Sequence, residues 1–387
     1  MSTIKVCHII TRLIQGGAQE NTVSTVELLQ QSNDFEVTLI TGPALGPEGT
    51  MITYAKEHIK NTIVVDELRR NINPILDTIS FLKLVMILRK GRYDIVHTHS
   101  SKAGIIGRIA ARCAGVKVIV HTIHGLPYHE YQHVVINKLY VLLERYVTRF
   151  TKKIISVADI MTEKAVAQGV VSKDKCITIY SGMNLDNFVK NDEIKHAVRN
   201  QLGIPQDGVV ILKVARLFYL KGHEYVVRAA REVMKENPHV IFLFVGGGIL
   251  NEKMQALVNQ YGLKNNFIFV GLVNADQVPR YINCADIVVH ASLREGLPRI
   301  VPQALACKKP VVAFDVDGTK EVLKNNKNGF LIPPENITAL QNALSNLVTN
   351  KELRERMGKE GRNDIDPIFR NEYMVEQIEK LYYALIK

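Results

Sequence analysis

The chain has 387 residues, 47 % apolar and 22 % charged, with a formal net charge of +11. That length exceeds one ordinary hydrophobic core, so two domains are expected, and no apolar run approaches the about 20 residues that cross a bilayer. The positive excess favours an anionic partner (a phosphorylated substrate, an acidic membrane surface or nucleic acid) without choosing among them.

The opening MSTIKVCHII enters a strand directly and lacks the long apolar region of a signal peptide. Cys7, Cys113, Cys176, Cys284 and Cys307 are scattered, with no CxxC, which fits reduced thiols and a cytoplasmic location rather than a disulfide scaffold or zinc site. Along the chain, apolar β-branched runs appear as IKVCHII, FEVTLIT, NTIVVD, YDIVHTH, VKVIVHTI, KIISVA and CITIYSG. Helical periodicity fills the intervals, as in ENTVSTVELLQQ and ILDTISFLKLVMILRK. After the polar stretch SGMNLDNFVKNDEI, which reads as a linker, the alternation restarts with VVILKVA, VIFLFVG, NFIFVG, IVVHAS and PVVAFD.

Apolar strands alternating with helices imply parallel sheets covered on both faces. The expected fold is α/β, with two doubly wound Rossmann-like domains, residues 1–185 and 186–367, facing across a cleft. Ligands of such sheets sit beyond the carboxyl ends of the strands, so the chemistry is expected in that cleft. The final helix, within 368–387, is amphipathic, with Met374, Ile378, Leu381 and Leu385 near one face. It packs on its own domain or reaches back to the first; the pattern leaves both open.

Several loops could carry chemistry. Gly16-Gly17, between the first strand and a helix, lets backbone approach a ligand and leaves amides for an anion, although a tight turn alone would account for the pair. Arg216 lies just past a strand and Lys221 five residues on, at the start of the next helix; two cations there suit a diphosphate, and the plain alternative is two solvated charges. In HASLREGLPRIVPQALA, Glu295 and Gly296 occupy the loop, Pro298 opens a helix, and Gln303 lies about a turn and a half inside it. Glu295 also reads as a carboxylate favoured by the helix macrodipole.

His97 and His99, two apart on one strand, invite a metal reading, but no carboxylate or cysteine cluster completes a site and no metal is expected. His124, followed by Gly125, reads better as a sugar-facing residue. In KLYVLLERYVTRFTKK, Lys138, Arg145, Arg149 and Lys152 align in one stripe beside an apolar face of Leu139, Leu143, Tyr146 and Phe150. Such a basic amphipathic helix suits the inner face of an anionic membrane, and a solvated crossover helix suits it equally.

Taken together, the GGAQ loop, HTHSSKAGIIGR, HTIHG, ARLFYLKGHEY, FVGGG, ADIVVHASLREGLP and DGTKEVLKNNKNGFLIPP resemble the retaining, nucleotide-sugar-dependent glycosyltransferases of family 4, which have the GT-B architecture. The resemblance spans nearly the whole chain and is most specific from Ala285 to Pro334. It implies that Gly16 and Gly17 line the donor diphosphate and that His124 meets the donor sugar and the reacting centre. Arg216 and Lys221 would hold the diphosphate, Glu295 would bind hydroxyls of the transferred sugar, and Gly296 and Leu297 would complete the donor loop. No cofactor or metal is implied, a UDP-sugar is the expected donor, and a carbohydrate or lipid-linked glycan precursor is the expected acceptor.

Two positions depart from the family pattern: Ala215 stands where glycine often precedes the arginine, and Gln303 stands where a glutamate grips the ribose. An amide still accepts from one ribose hydroxyl and donates to the other. Losing the charge-assisted part costs about 1–1.5 kcal/mol, about tenfold in affinity, which retunes the enzyme without abolishing it. The competing readings are a non-catalytic nucleotide-sugar-binding or scaffold protein, favoured only by Gln303, a nucleotide-sugar epimerase, for which acid/base residues are not evident, and a glycogen-type phosphorylase, whose chain is far longer. Nucleic-acid binding is not expected, since no recognition module is present.

Overall fold

The computed structural model describes residues 3–46 and 49–387. Among these the chain divides into two units: one runs through Met183 and takes in Ile368–Lys387, and the other is Asn184–Pro367.

The first unit carries β1 (Ile4–Ile10), β2 (Phe35–Thr41), β3 (Asn61–Val64), β4 (Ile95–His99), β5 (Val118–Ile123), β6 (Lys153–Ser156) and β7 (Cys176–Thr178). The helices between them are α1 (Gly17–Leu29), α2 (Ile52–His58), α3 (Pro74–Gly91), α4 (Ser101–Ala114), α5 (Val134–Thr148) and α6 (Asp159–Ala167). All described strand pairings are parallel, in the order β3-β2-β1-β4-β5-β6-β7, so the winding reverses between β1 and β4. Local sequence sets the helix ends. For α3, the Asn73 side chain accepts from the Ile75 and Leu76 amides, Pro74 takes the first position, and Arg89 and Lys90 occupy the last turn.

The second unit has β8 (Val210–Val214), β9 (Ile241–Val245), β10 (Phe267–Gly271), β11 (Ile287–His290), β12 (Val311–Phe314) and β13 (Gly329–Ile332). With them run α7 (Asp192–Leu202), α8 (His223–Glu236), α9 (Asn251–Gln260), α10 (Val278–Cys284), α11 (Ile300–Ala306), α12 (Thr319–Val322), α13 (Ile337–Thr349) and α14 (Lys351–Ile365). This sheet is also parallel, in the order β10-β9-β8-β11-β12-β13, and it reverses between β8 and β11. The sixth strand, β13, was not among the apolar runs read from the sequence. It is four residues long and begins at a glycine whose Cβ would meet the Val311 carbonyl oxygen at 2.0 Å.

The last helix, α15 (Asn371–Ile386), belongs to the first unit. Met374, Val375, Ile378, Leu381 and Tyr382 are buried with Val23, Val26 and Leu29 of α1 and with Val6, Ile10, Ile95 and Val120 of the sheet. Each large apolar side chain enclosed in this way contributes about 1.5–3 kcal/mol. The opposite sheet face, with Cys7, Ile9, Val96 and Ile119, packs on Leu84 and Leu88 of α3 and Ala103 and Ala110 of α4.

Three local expectations change. The basic helix α5 ends at Thr148, with Arg149 as its cap, so Lys152 lies past it and off the stripe. Val141, Glu144, Val147 and Thr148 form its buried side, which leaves Leu139, Leu142 and Tyr146 exposed next to Lys138 and Arg149. Pro298 precedes α11 instead of opening it, placing Gln303 fourth in a seven-residue helix, and Lys221 stands before the Gly222 cap of α8.

Candidate functional site

In the second unit the polar residues gather beyond the carboxyl ends of β8, β11 and β12, at the point where the winding reverses, as doubly wound sheets dictate. Three loops are stitched there. The Leu293 amide and the Ser292 hydroxyl donate to the Leu220 carbonyl at 2.9 and 3.1 Å, and the Gly318 amide donates to the Gly296 carbonyl at 3.1 Å. Gly222 is required at this junction: its φ is 63°, and a Cβ would sit 1.7 Å from the Ala291 oxygen.

The stitching brings Lys221 Nζ to 2.6 Å from Glu295 Oε1, while the Glu295 amide donates to Asp317 Oδ2 at 2.7 Å. His290 Nε2, from the end of β11, lies 3.1 Å from the same carboxylate oxygen. Burial alone would raise the Glu295 carboxyl, but the Lys221 charge and His290 outweigh it and hold the group well below the ordinary carboxylate range. Arg216 is exposed, with its guanidinium 5.1 Å from the centre of the Phe218 ring. The site therefore presents two cations and a firmly ionised carboxylate. Gly296 is half-buried, Leu297 is buried, and Gln303 is half-buried on α11.

Two residues of this cluster were not singled out from the sequence. Lys213, in the middle of β8, is fully enclosed, and its Nζ has no hydrogen-bond partner among the described residues. Burial, helped by the Lys221 charge, lowers it to about 7. His290 is the other. The available signal was a single charged or polar residue inside each apolar strand, VVILKVA and IVVHAS.

In the first unit, Gly16 and Gly17 stand at the start of α1, beyond β1, and His124 directly follows β5. A pocket lined by Ser100, His121, His124, Tyr128 and Glu144 lies beside His124. Glu144 in its lining forms a buried ion pair, Arg108 Nη2 to Glu144 Oε2 at 2.6 Å.

Behind His124 runs a file of hydrogen bonds that alternation along parallel strands makes possible. His8 of β1 is register partner to His97 of β4, and His99 is partner to Thr122 of β5, so all four side chains share the face covered by α15. Thr122 Oγ1 lies 2.7 Å from His97 Nε2, and His97 Nδ1 lies 2.6 Å from the Tyr382 hydroxyl. That hydroxyl lies 3.2 Å from His8 Nε2, His8 Nδ1 is 2.9 Å from His99 Nε2, and His99 Nδ1 is 3.1 Å from His124 Nε2. Burial lowers His8 to about 3 and, with the neighbouring imidazoles, lowers His97 and His99 well below the usual range.

Among the described residues, His8, His97 and His99 are also a group whose possible ligand atoms lie within 4.8 Å of one another. The 2.9 Å gap from His8 to His99 is a hydrogen-bond length, shorter than the about 3.3 Å edge between ligands of tetrahedral zinc.

Two parallel Rossmann-like sheets, each with candidate site residues beyond its strand ends, make up the GT-B architecture. Residues 15–187 match the model of Glycosyltransferase Family 4, and residues 194–364 match that of Glycosyl transferases group 1. The chain is 30 % identical to UDP-Gal:alpha-D-GlcNAc-diphosphoundecaprenol alpha-1,3-galactosyltransferase of Escherichia coli, over 100 % of this chain and 98 % of that one. It is 23 % identical to the capsular polysaccharide biosynthesis glycosyltransferase CapM of Staphylococcus aureus, over 86 % and 87 % of the two chains. The fold is shared with Anabaena HepE in complex with UDP and glucose, with TM-score 0.85 and 20 % identity over 98 % of this chain and 100 % of that one. It is shared too with sucrose-phosphate synthase from Thermosynechococcus elongatus, with TM-score 0.82 and 22 % identity over 99 % of each chain.

The chain belongs to the family 4 glycosyltransferases. It is an enzyme, a hexosyltransferase that uses a nucleotide-sugar donor; the epimerase and scaffold readings find no support in the matched families.

Proposed function

We propose that the enzyme transfers a hexose, with retention, from a UDP-sugar to a lipid-linked glycan precursor bearing a sugar diphosphate. The observation that carries this reading is the Lys221–Glu295 pair at the switch point of the second sheet, with exposed Arg216 on the same loop as Lys221. Breaking a glycosyl–phosphate bond leaves negative charge on the nucleoside diphosphate, which cations placed there in advance stabilise. Arg216 and Lys221 take the diphosphate, the ionised Glu295 accepts from hydroxyls of the transferred sugar, and Gln303 binds the ribose. In the first unit, amides at Gly16 and Gly17 serve an anionic group, and His124 meets the reacting sugar. The donor and acceptor named for the E. coli relative supply the choice of UDP and of a polyprenyl diphosphate sugar.

Membrane contact is part of the same reading. Leu139, Leu142 and Tyr146 of α5 are exposed beside Lys138 and Arg149, and Ile75, Leu82 and Met86 form an exposed apolar stripe on α3. Both helices pack against α4. Arg145 is diverted, donating to the Gln168 carbonyl at 2.5 Å. Apolar residues with a basic border suit the surface of an anionic bilayer, and among the described residues no helix is long and apolar enough to cross one. On this reading the enzyme works at the inner face of the cytoplasmic membrane.

The test is incubation with UDP-hexoses and a GlcNAc-diphosphoryl lipid, following UDP release and the anomeric configuration of the product. Acceptor-dependent release with an α-linked product supports the reading. No release with any UDP-hexose overturns it.

A further inference from the structure

The following rests on the reading of His124 as the residue that meets the reacting sugar. We propose that Tyr382, His8 and His99 are positioning residues for His124: one file of hydrogen bonds, starting on the last helix, fixes which ring nitrogen of His124 carries the proton.

A neutral imidazole offers one donor and one acceptor. The file contains four imidazoles and one phenol, linked end to end at 2.6–3.2 Å. Among His8, His99 and His124, choosing the direction of one link therefore sets the others. If the Tyr382 hydroxyl donates to His8 Nε2, then His8 Nδ1 donates to His99 Nε2 and His99 Nδ1 donates to His124 Nε2. A neutral His124 then carries its proton on Nδ1. Tyr382 has a single proton, so it accepts from His97 Nδ1, and His97 Nε2 accepts from Thr122. Reversing the file inverts every link and strips the proton from His124 Nδ1. A mixed arrangement among the imidazoles places two N–H groups, or two lone pairs, face to face inside a sealed core. A Tyr382 hydroxyl that accepts from both His97 and His8 leaves its own proton unpaired. Each costs a buried unmade hydrogen bond.

The surroundings argue against a merely structural role. The same sheet face is otherwise lined by Val6, Ile10, Ile95, Val118 and Val120. Replacing linked buried polar groups together by apolar ones of similar shape is often neutral or stabilising, so stability alone does not call for three histidines and a tyrosine here. A group that must offer a sugar hydroxyl a defined donor or a defined acceptor does need its tautomer set by the hydrogen bond on its other nitrogen. Tyr382 gives the last helix that task.

The experiment uses full-length protein labelled with 15N-histidine and long-range 15N–1H correlation at pH 7.5, with His124 assigned through its loss in His124→Asn. Tyr382→Phe removes one hydroxyl and keeps the ring; Thr122→Val loosens the far end and carries the test if Tyr382→Phe does not fold. In the parent, His124 is expected in one tautomer. In the variant its ring shifts move toward the two-tautomer average, and kcat falls about 10- to 100-fold, the scale on which partners that orient a metal-bound imidazole act. The KM for the donor stays within about threefold. Identical His124 shifts in parent and variant overturn the proposal, as does a changed tautomer with unchanged kcat. One zinc per chain, lost in His99→Ala, also overturns it by making the cluster a metal site. If the parent transfers no sugar at all, the ring shifts still decide on the file, and only the functional reading falls.

Discussion

Acidification should unfold this protein at a pH well above that needed to protonate its carboxylates. His8, His97, His99 and His121 are at most 4 % exposed, and burial pushes each below its ordinary value of 6.5, His8 to about 3. As the pH falls through about 6.5 the unfolded chain binds a proton at each of these positions and the native chain does not. Stability therefore rises with pH in this window, and it is lost on the way down from about 6.5 toward the native values. One pH unit below the unfolded pKa costs about 1.4 kcal/mol per histidine, so going from pH 7.5 to 5.5 removes about 5 kcal/mol for the four. A typical domain has about 5–15 kcal/mol in all. Urea unfolding followed by far-ultraviolet circular dichroism at pH 7.5, 6.5 and 5.5 reads the loss directly. Equal unfolding free energies at pH 7.5 and 5.5 would refute the burial of neutral imidazoles.

Glu295→Gln keeps the shape of the side chain but removes its charge. Two hydrogen bonds to sugar hydroxyls, each weakened by about 1–1.5 kcal/mol, lower kcat/KM about 100-fold, whereas Gln303→Glu stays within about tenfold of the parent; comparable losses from both would undo the assignment of roles. Glu144→Gln leaves the enclosed Arg108 guanidinium without its counter-charge, which should cost about 3–5 kcal/mol in urea unfolding. Loss below about 1 kcal/mol would mean that water reaches the pair. For membrane contact, Leu139→Ser with Leu142→Ser should abolish sedimentation with phosphatidylglycerol vesicles, and high salt should weaken it for the parent; binding unchanged by the two substitutions would place the contact elsewhere.

Much of the fold was legible because buried parallel strands are written as apolar runs. All seven strands of the first sheet and five of the six in the second coincide with the runs read from the sequence. β13 escaped because four residues starting at a glycine give little periodicity. The end of α5 was misplaced because YVTRFTKK continues the spacing of basic residues, although the chain leaves the helix after Thr148. Arg216, Lys221 and Glu295 stood out in the sequence as candidates for a diphosphate loop. The closeness of Lys221 and Glu295 depends on β8 and β11 being neighbours, which no local pattern records. The histidine file was less legible still: HTH hints at one shared face, but His8 and Tyr382 join it through strand register and the docking of the last helix.

The most direct measurement is calorimetric titration of a UDP-hexose into the parent and into Lys221→Ala and Arg216→Ala. Micromolar to millimolar binding by the parent, weakened at least tenfold in both variants whose melting temperatures match the parent, is the result expected if these cations receive the diphosphate. Undiminished affinity in both folded variants would contradict it.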